Sequence, residues 1–71
     1  MKWTVSVEFS RPKAYHQFFS LLNRGLINDT VLINHSATYM IIEFETTTAP
    51  EEEKIKNMGS VINVKIVEVN E

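Results

Sequence analysis

The residues able to do chemistry are few and scattered. His16 and His35 are the two imidazoles, Glu51, Glu52 and Glu53 run together, and Glu43 and Glu45 stand two apart in an alternating stretch. A metal centre needs three or four ligands converging on one point, and neither histidine has clustered carboxylates beside it in sequence. The chain contains no Cys, which excludes a disulfide scaffold, a thiolate zinc cluster and a cysteine nucleophile. The glutamate run fits the first turn of a helix, where negative charge complements the macrodipole. Glu43 and Glu45 fall about 7 Å apart on one strand face, with no apolar setting to raise one pKa for acid catalysis. These patterns assign no catalytic, cofactor-binding or metal-ligating residue. The expected protein is not an enzyme, holds no cofactor and takes no small-molecule substrate.

The elements that position these residues follow from the hydrophobic period. Trp3, Val5, Val7 and Phe9 alternate with Thr4, Ser6 and Glu8, which predicts a half-buried strand. Ser10 offers a helix N-cap, and Arg11-Pro12 fits a first turn. Ala14, Tyr15, Phe18, Phe19 and Leu22 then make an apolar helical stripe, with Lys13, Gln17, Ser20 and Arg24 opposite. Gly25 suits the left-handed C-terminal position, with Leu26 folding back on the helix. Asn28-Asp29 predicts a turn into a short strand, Thr30 to Asn34, and His35-Ser36 a tight hairpin tip. Thr38 to Thr46 is predicted to return as a longer strand, with Met40, Ile42 and Phe44 on one side and Tyr39, Ile41, Glu43 and Glu45 on the other. Thr48-Ala49-Pro50-Glu51 reads as a capping box for a brief helix anchored by Ile55 and Met58 and ended by Gly59. In the last strand, Val61 to Val69, the alternation puts Ile62, Val64 and Ile66 on one face and Asn63, Lys65, Val67 and Val69 on the other.

The order β-α-β-β-α-β predicts an α+β fold: a ferredoxin-like single domain over residues 1–71, with a four-stranded antiparallel sheet of order 4-1-3-2 and both helices on one face. With 71 residues, the core is small, since a chain of this size buries only about 60% of its unfolded surface. The loop after the first strand holds Arg11 but no Gly, and Pro12 lacks a backbone donor, so it does not make the phosphate cradle of acylphosphatases.

The third strand, Ala37-Thr38-Tyr39-Met40-Ile41-Ile42-Glu43-Phe44 followed by Glu45-Thr46, resembles the third-strand octamer of RNA-recognition-motif domains, which share the βαββαβ order. Tyr39 matches the octamer's third position, which in that family projects from the open sheet to stack on a base. Ile42 and Phe44 match its buried positions. Ala37, Thr38 and Ile41 depart from its basic, glycine and second aromatic positions. The resemblance implies single-stranded nucleic-acid contact through Tyr39 and Lys65. A second route to phosphates is the basic face of helix 1, with Arg11, Lys13, His16 and Arg24.

Charge argues against the first route. The net charge is −2, and Glu8, Glu43 and Glu45 share the predicted open face with Lys65, which disfavours phosphate. Along the chain the charge is dipolar: residues 1–36 carry four cations and two anions, residues 37–71 three cations and seven anions. Leu32, Tyr39, Ile41, Val67 and Val69 also fall on the predicted open face, and an exposed apolar patch marks association. The leading expectation is therefore a small protein-interaction module, a regulator, inhibitor or adaptor, acting through Leu32, Tyr39, Ile41, Lys65, Val67 and Val69 on the open face and last strand. A homodimer or a protein partner is expected, and nucleic-acid binding is the alternative. The N-terminus alternates instead of presenting an apolar run, and no stretch approaches the roughly 20 apolar residues of a membrane span. The expected location is cytoplasmic, with no membrane partner.

Overall fold

A computed structural model of the chain describes residues 2–21, 30–58 and 60–69. Its elements run β1 (Lys2–Phe9), α1 (Ala14–Leu21), β2 (Val31–His35), β3 (Ile41–Thr46), α2 (Glu52–Lys56) and β4 (Val61–Val69). The strands form one antiparallel sheet of order β2-β3-β1-β4. That is the expected order read from the other edge. The class is α+β: a four-stranded antiparallel sheet and two helices.

Alternation in β1 does what its sequence dictates. Val5, Val7 and Phe9 are buried, and Thr4, Ser6 and Glu8 turn to the other face. Their neighbours in register are Ile42 and Phe44 of β3 and Val64 and Ile66 of β4. Phe18 of α1 and Ile55 of α2 close the same cluster, so both helices serve one core. Four phenylalanines hold it together, edge to face at Phe9–Phe18 and Phe19–Phe44 and tilted at Phe18–Phe44. Phe18 meets Phe9 at 5.4 Å and Phe44 at 5.8 Å, while Phe19 reaches Phe44 at 6.4 Å. Such pairs add about 0.5–1.5 kcal/mol each beyond area burial.

Both helix starts differ from expectation. Helical structure in α1 begins at Ala14, after a turn in which the Ala14 N–H donates to Arg11 O at 3.3 Å. The Ser10 N–H is engaged elsewhere, donating to Ser60 O at 2.8 Å. Sheet-end pairing thus anchors Ser10, and the helix starts three residues after Arg11. At α2 the capping box does not form. Glu51 occupies the N-cap position without a side-chain cap bond. Thr48 is drawn away by Thr46, whose Oγ1 accepts the Thr48 N–H at 3.1 Å and donates to Thr48 O at 3.4 Å. Ile55 and Met58 are buried as expected. The readings at Leu22, Arg24, Gly25, Leu26, Asn28-Asp29 and Gly59 lie outside the described residues.

Two bulges change which side chains face the core. Phe9 pairs with Val61 while Glu8 pairs with Asn63, leaving Ile62 as the extra residue in β4. Ile62 is consequently 60% exposed, and the core-side position expected for it belongs to Val61. In β2, Leu32 pairs with Phe44 and Asn34 with Glu43, so Ile33 is the extra residue. An unpaired residue of this kind reverses the alternation beyond it.

Beside the first bulge, Ser60 has φ 69, a left-handed conformation that costs a side-chain-bearing residue about 1–2 kcal/mol. Glycine avoids that cost but loses about 0.5–1 kcal/mol in backbone entropy. Ser60→Gly should therefore stabilise the domain by about 0.5–1 kcal/mol, since the carbonyl that accepts from Ser10 is retained. A lower midpoint in urea would show that the serine side chain has a use the backbone does not reveal.

Candidate functional site: the open sheet face and its edges

With both helices on the other side, the open face is built by cross-strand rows. One row reads Val31, Glu45, Thr4, Val67, and the next Asn34, Glu43, Ser6, Lys65. A third holds Ile41, Glu8 and Asn63, and Lys2 pairs with Val69 at the sheet end. Asn34 Nδ2 donates to Glu43 Oε1 at 3.2 Å, tying the second row together. The centre of the face is thus polar.

Two residues expected on this face are not on it. Leu32 lies opposite Phe44 and shares the helix side, because Val31, not Leu32, pairs with Glu45. Tyr39 is not in a strand at all. The connection from β2 to β3 runs through Ser36 to Met40, and Ser36 closes it. Ser36 N–H donates to Ile41 O at 2.8 Å, Ile41 N–H to Ser36 Oγ at 3.2 Å, and Tyr39 N–H to Ser36 O at 3.0 Å. Tyr39 takes φ 58 and is partly buried against the core. Its ring is stacked between His35 at 3.9 Å and Tyr15 of α1 at 4.6 Å. Each of these stacking contacts is worth about 0.5–1.5 kcal/mol, which offsets the roughly 1–2 kcal/mol of the left-handed backbone. Tyr39 therefore has a structural task on the helix side, away from the sheet surface where a base would stack.

The apolar residues that remain on the open face are dispersed. Ile41 is on β3 in the third row, while Val67 and Val69 are on β4, with β1 between. The continuous apolar patch expected from alternation is broken up by the polar row through Glu43, Ser6 and Lys65. What the alternation did not reveal is the edge. Every residue of β2 is exposed, and Val31, Leu32 and Ile33 are 60, 39 and 45% exposed in succession. Val31 faces the open side, Leu32 the helix side at the sheet's edge, and Ile33 is left unpaired by the bulge, so three successive aliphatics stay exposed on an edge strand. Charged side chains and prolines are the usual protection of such edges, and β2 contains neither. The opposite edge, β4, bears exposed Lys65 and Glu68 among its aliphatics.

Two small cavities line the β2 edge on the open face. One, of about 150 Å³, is bounded by Lys2, Val31, Glu45, Thr46 and Thr47. The other, of about 230 Å³, is bounded by Asn34, His35, Ser36, Ile41 and Glu43. Each has one glutamate in its wall.

Away from the sheet, Arg11 and Lys13 flank a surface cavity of about 440 Å³ with Pro12, Ala14 and Gln17. His16 is exposed on the adjoining turn, its ring 4.1 Å from Tyr15. Arg24 lies outside the described residues. His35 is exposed at the end of β2, and its Nδ1 donates to Ser36 O at 2.9 Å, since a carbonyl only accepts. Glu51 and Glu52 pair with Lys54 and Lys56 at 2.8 and 3.8 Å on the surface of α2. Among the described residues, no three His, Asp or Glu converge on a possible metal position. None of the described helices is long and apolar enough to cross a membrane. Compared with known proteins, the chain matches no family model, no curated protein and no solved structure, so the functional reading rests on this geometry.

Proposed function

We propose that the protein is a small, non-enzymatic protein-interaction module that works by strand addition at the edges of its sheet. The element order and sheet order support reading the domain as ferredoxin-like, an architecture that leaves one face open and two edge strands free. The observation that carries the function is the uncharged β2 edge with Val31, Leu32 and Ile33 exposed in succession. An added strand would satisfy the outer backbone groups of β2 and cover these aliphatics, which is how extended segments are recognised on sheets. The polar open face is not the main contact surface in this reading. It flanks the edge and discriminates by charge.

Titration of the labelled protein with extended, alternating apolar peptides tests this. Saturable amide shifts confined to Val31–His35 or Val61–Val69 are expected. Shifts at neither edge would remove the reading.

One observation favours a second reading, contact with an anionic polymer at the start of α1. Arg11 and Lys13 flank the largest of the three cavities described above. A single-stranded oligonucleotide arm of the same titration decides it. Salt-sensitive shifts at residues 11–17 alone would identify phosphate as the ligand there.

A further inference from the structure

We propose that the strand added at β2 is β4 of a second copy of this chain, so that the protein associates head to tail through its two unlike edges. This rests on the strand-addition reading and names its occupant. The two edges are β2 and β4, and all three ladders of the sheet between them are antiparallel. A second copy placed beside β4 in the same orientation therefore presents its β2 antiparallel to it, with the helices of both copies on one side.

Charge selects this pairing and its register. The row Asn34, Glu43, Ser6, Lys65 ends on an exposed lysine at the β4 edge and begins on an amide backed by a glutamate at the β2 edge. Extending that row into a second copy sets Lys65 beside the second copy's Asn34 and two strands from its Glu43. Two strand spacings are about 9.5 Å, the same separation that Ser6 leaves between Lys65 and Glu43 of its own copy, so Lys65 would stand between two glutamates, within reach of both. Lys65 then lies in the open-face cavity walled by Glu43. The neighbouring row sets Val67 against Val31, and on the helix side Ile66 meets Leu32, with the β2 bulge at Ile33 keeping both rows in step. Pairing like edges loses these matches. Two β2 edges bring the Glu43 and Glu45 pairs of both copies toward each other with no lysine or arginine on β2 between them. Two β4 edges bring Lys65 toward Lys65.

A contact between unlike surfaces does not close on itself by two-fold symmetry. The wild type should consequently show a mass by light scattering that grows with concentration beyond a dimer. Two surface variants test the assignment. Ile33→Lys places a cation where Lys65 of the next copy approaches, and Val67→Glu places an anion facing the next copy's Glu45. Both positions are about half exposed, at 45 and 46%, so folding is preserved, and circular dichroism checks it. Each variant alone should be monomeric where the wild type associates, and an equimolar mixture should form a 1:1 pair through the one intact β4 and the one intact β2. Dimers of Val67→Glu alone would mean β2 pairs with β2, and dimers of Ile33→Lys alone that β4 pairs with β4. Either result overturns the head-to-tail assignment, as does a wild type that is monomeric at every concentration. A monomeric wild type that still binds alternating peptides at β2 would overturn this inference while leaving the strand-addition reading intact.

Discussion

Phe44→Ala should lower the unfolding free energy by about 3–5 kcal/mol, the usual cost of deleting a buried phenylalanine from a packed core. Phe44 is fully buried in β3, a central strand, where it meets Phe18 and Phe19 of α1. Its backbone lies between Val5 of β1 and Leu32 of β2. Removing the ring empties the point where the sheet and first helix join, and a sheet paired on both sides has little freedom to collapse into the gap. A domain of this length has a total stability of only about 4–10 kcal/mol. The variant should therefore be partly unfolded at physiological temperature, with a melting midpoint lower by more than about 12 °C. Urea titration followed by circular dichroism measures it directly. A midpoint within experimental error of the wild type would mean that Phe44 is not part of the packed core.

The second large effect belongs to α2. That helix has five residues, far short of the roughly 12–15 at which an isolated helix becomes marginal in water. Its two surface ion pairs contribute little at such exposure. What holds it is Ile55, fully buried, together with Met58. Ile55→Ala should cost about 2–5 kcal/mol, and much of that loss should be local. Amides of Glu53 to Met58 are expected to exchange with solvent at nearly unprotected rates, while those of β1 and β3 remain protected. Uniform loss of protection through the whole domain would show instead that α2 and the sheet unfold as one unit. Retained protection in α2 would show that something other than Ile55 secures it.

These two side chains were legible in the sequence because their burial follows from local period. Alternation identified the inward side of β1 and β3, and the spacing of Ala14, Phe18 and Phe19 identified the buried stripe of α1. The order of six elements then limited the sheet to few arrangements. None of that needed contacts between distant residues, since an apolar residue at the right phase gains free energy on whichever partner covers its face.

Tyr39 shows where this reasoning stops. Its phase within Thr38–Thr46 placed it on the open face, but alternation has meaning only inside a strand. The strand begins at Ile41 because Ser36 closes the preceding turn with its backbone and its hydroxyl. Ala37-Thr38-Tyr39 contains no Gly to announce a left-handed residue. The conformation is supported by His35 and Tyr15, the latter 24 positions away in the chain, and local propensity carries no trace of such a contact. Leu32 failed for a related reason. The extra residue Ile33 puts the two ends of β2 out of phase, so that alternation counted back from the hairpin end assigns Leu32 to the wrong face, and bulges are set by pairing with β3, not by the composition of β2.

The sequence by itself determined the α+β class, the order of the elements, most of the core and the charged residues of the open face, because these depend on period and charge. Tertiary structure decided the rest. Register and bulges dispersed the expected apolar patch, the turn closed by Ser36 moved Tyr39 to the helix side, and the place of β2 at the sheet's edge left Val31, Leu32 and Ile33 exposed. Each of these outcomes depends on which residue of one strand lies opposite which residue of another, and that pairing is a property of the assembled sheet alone.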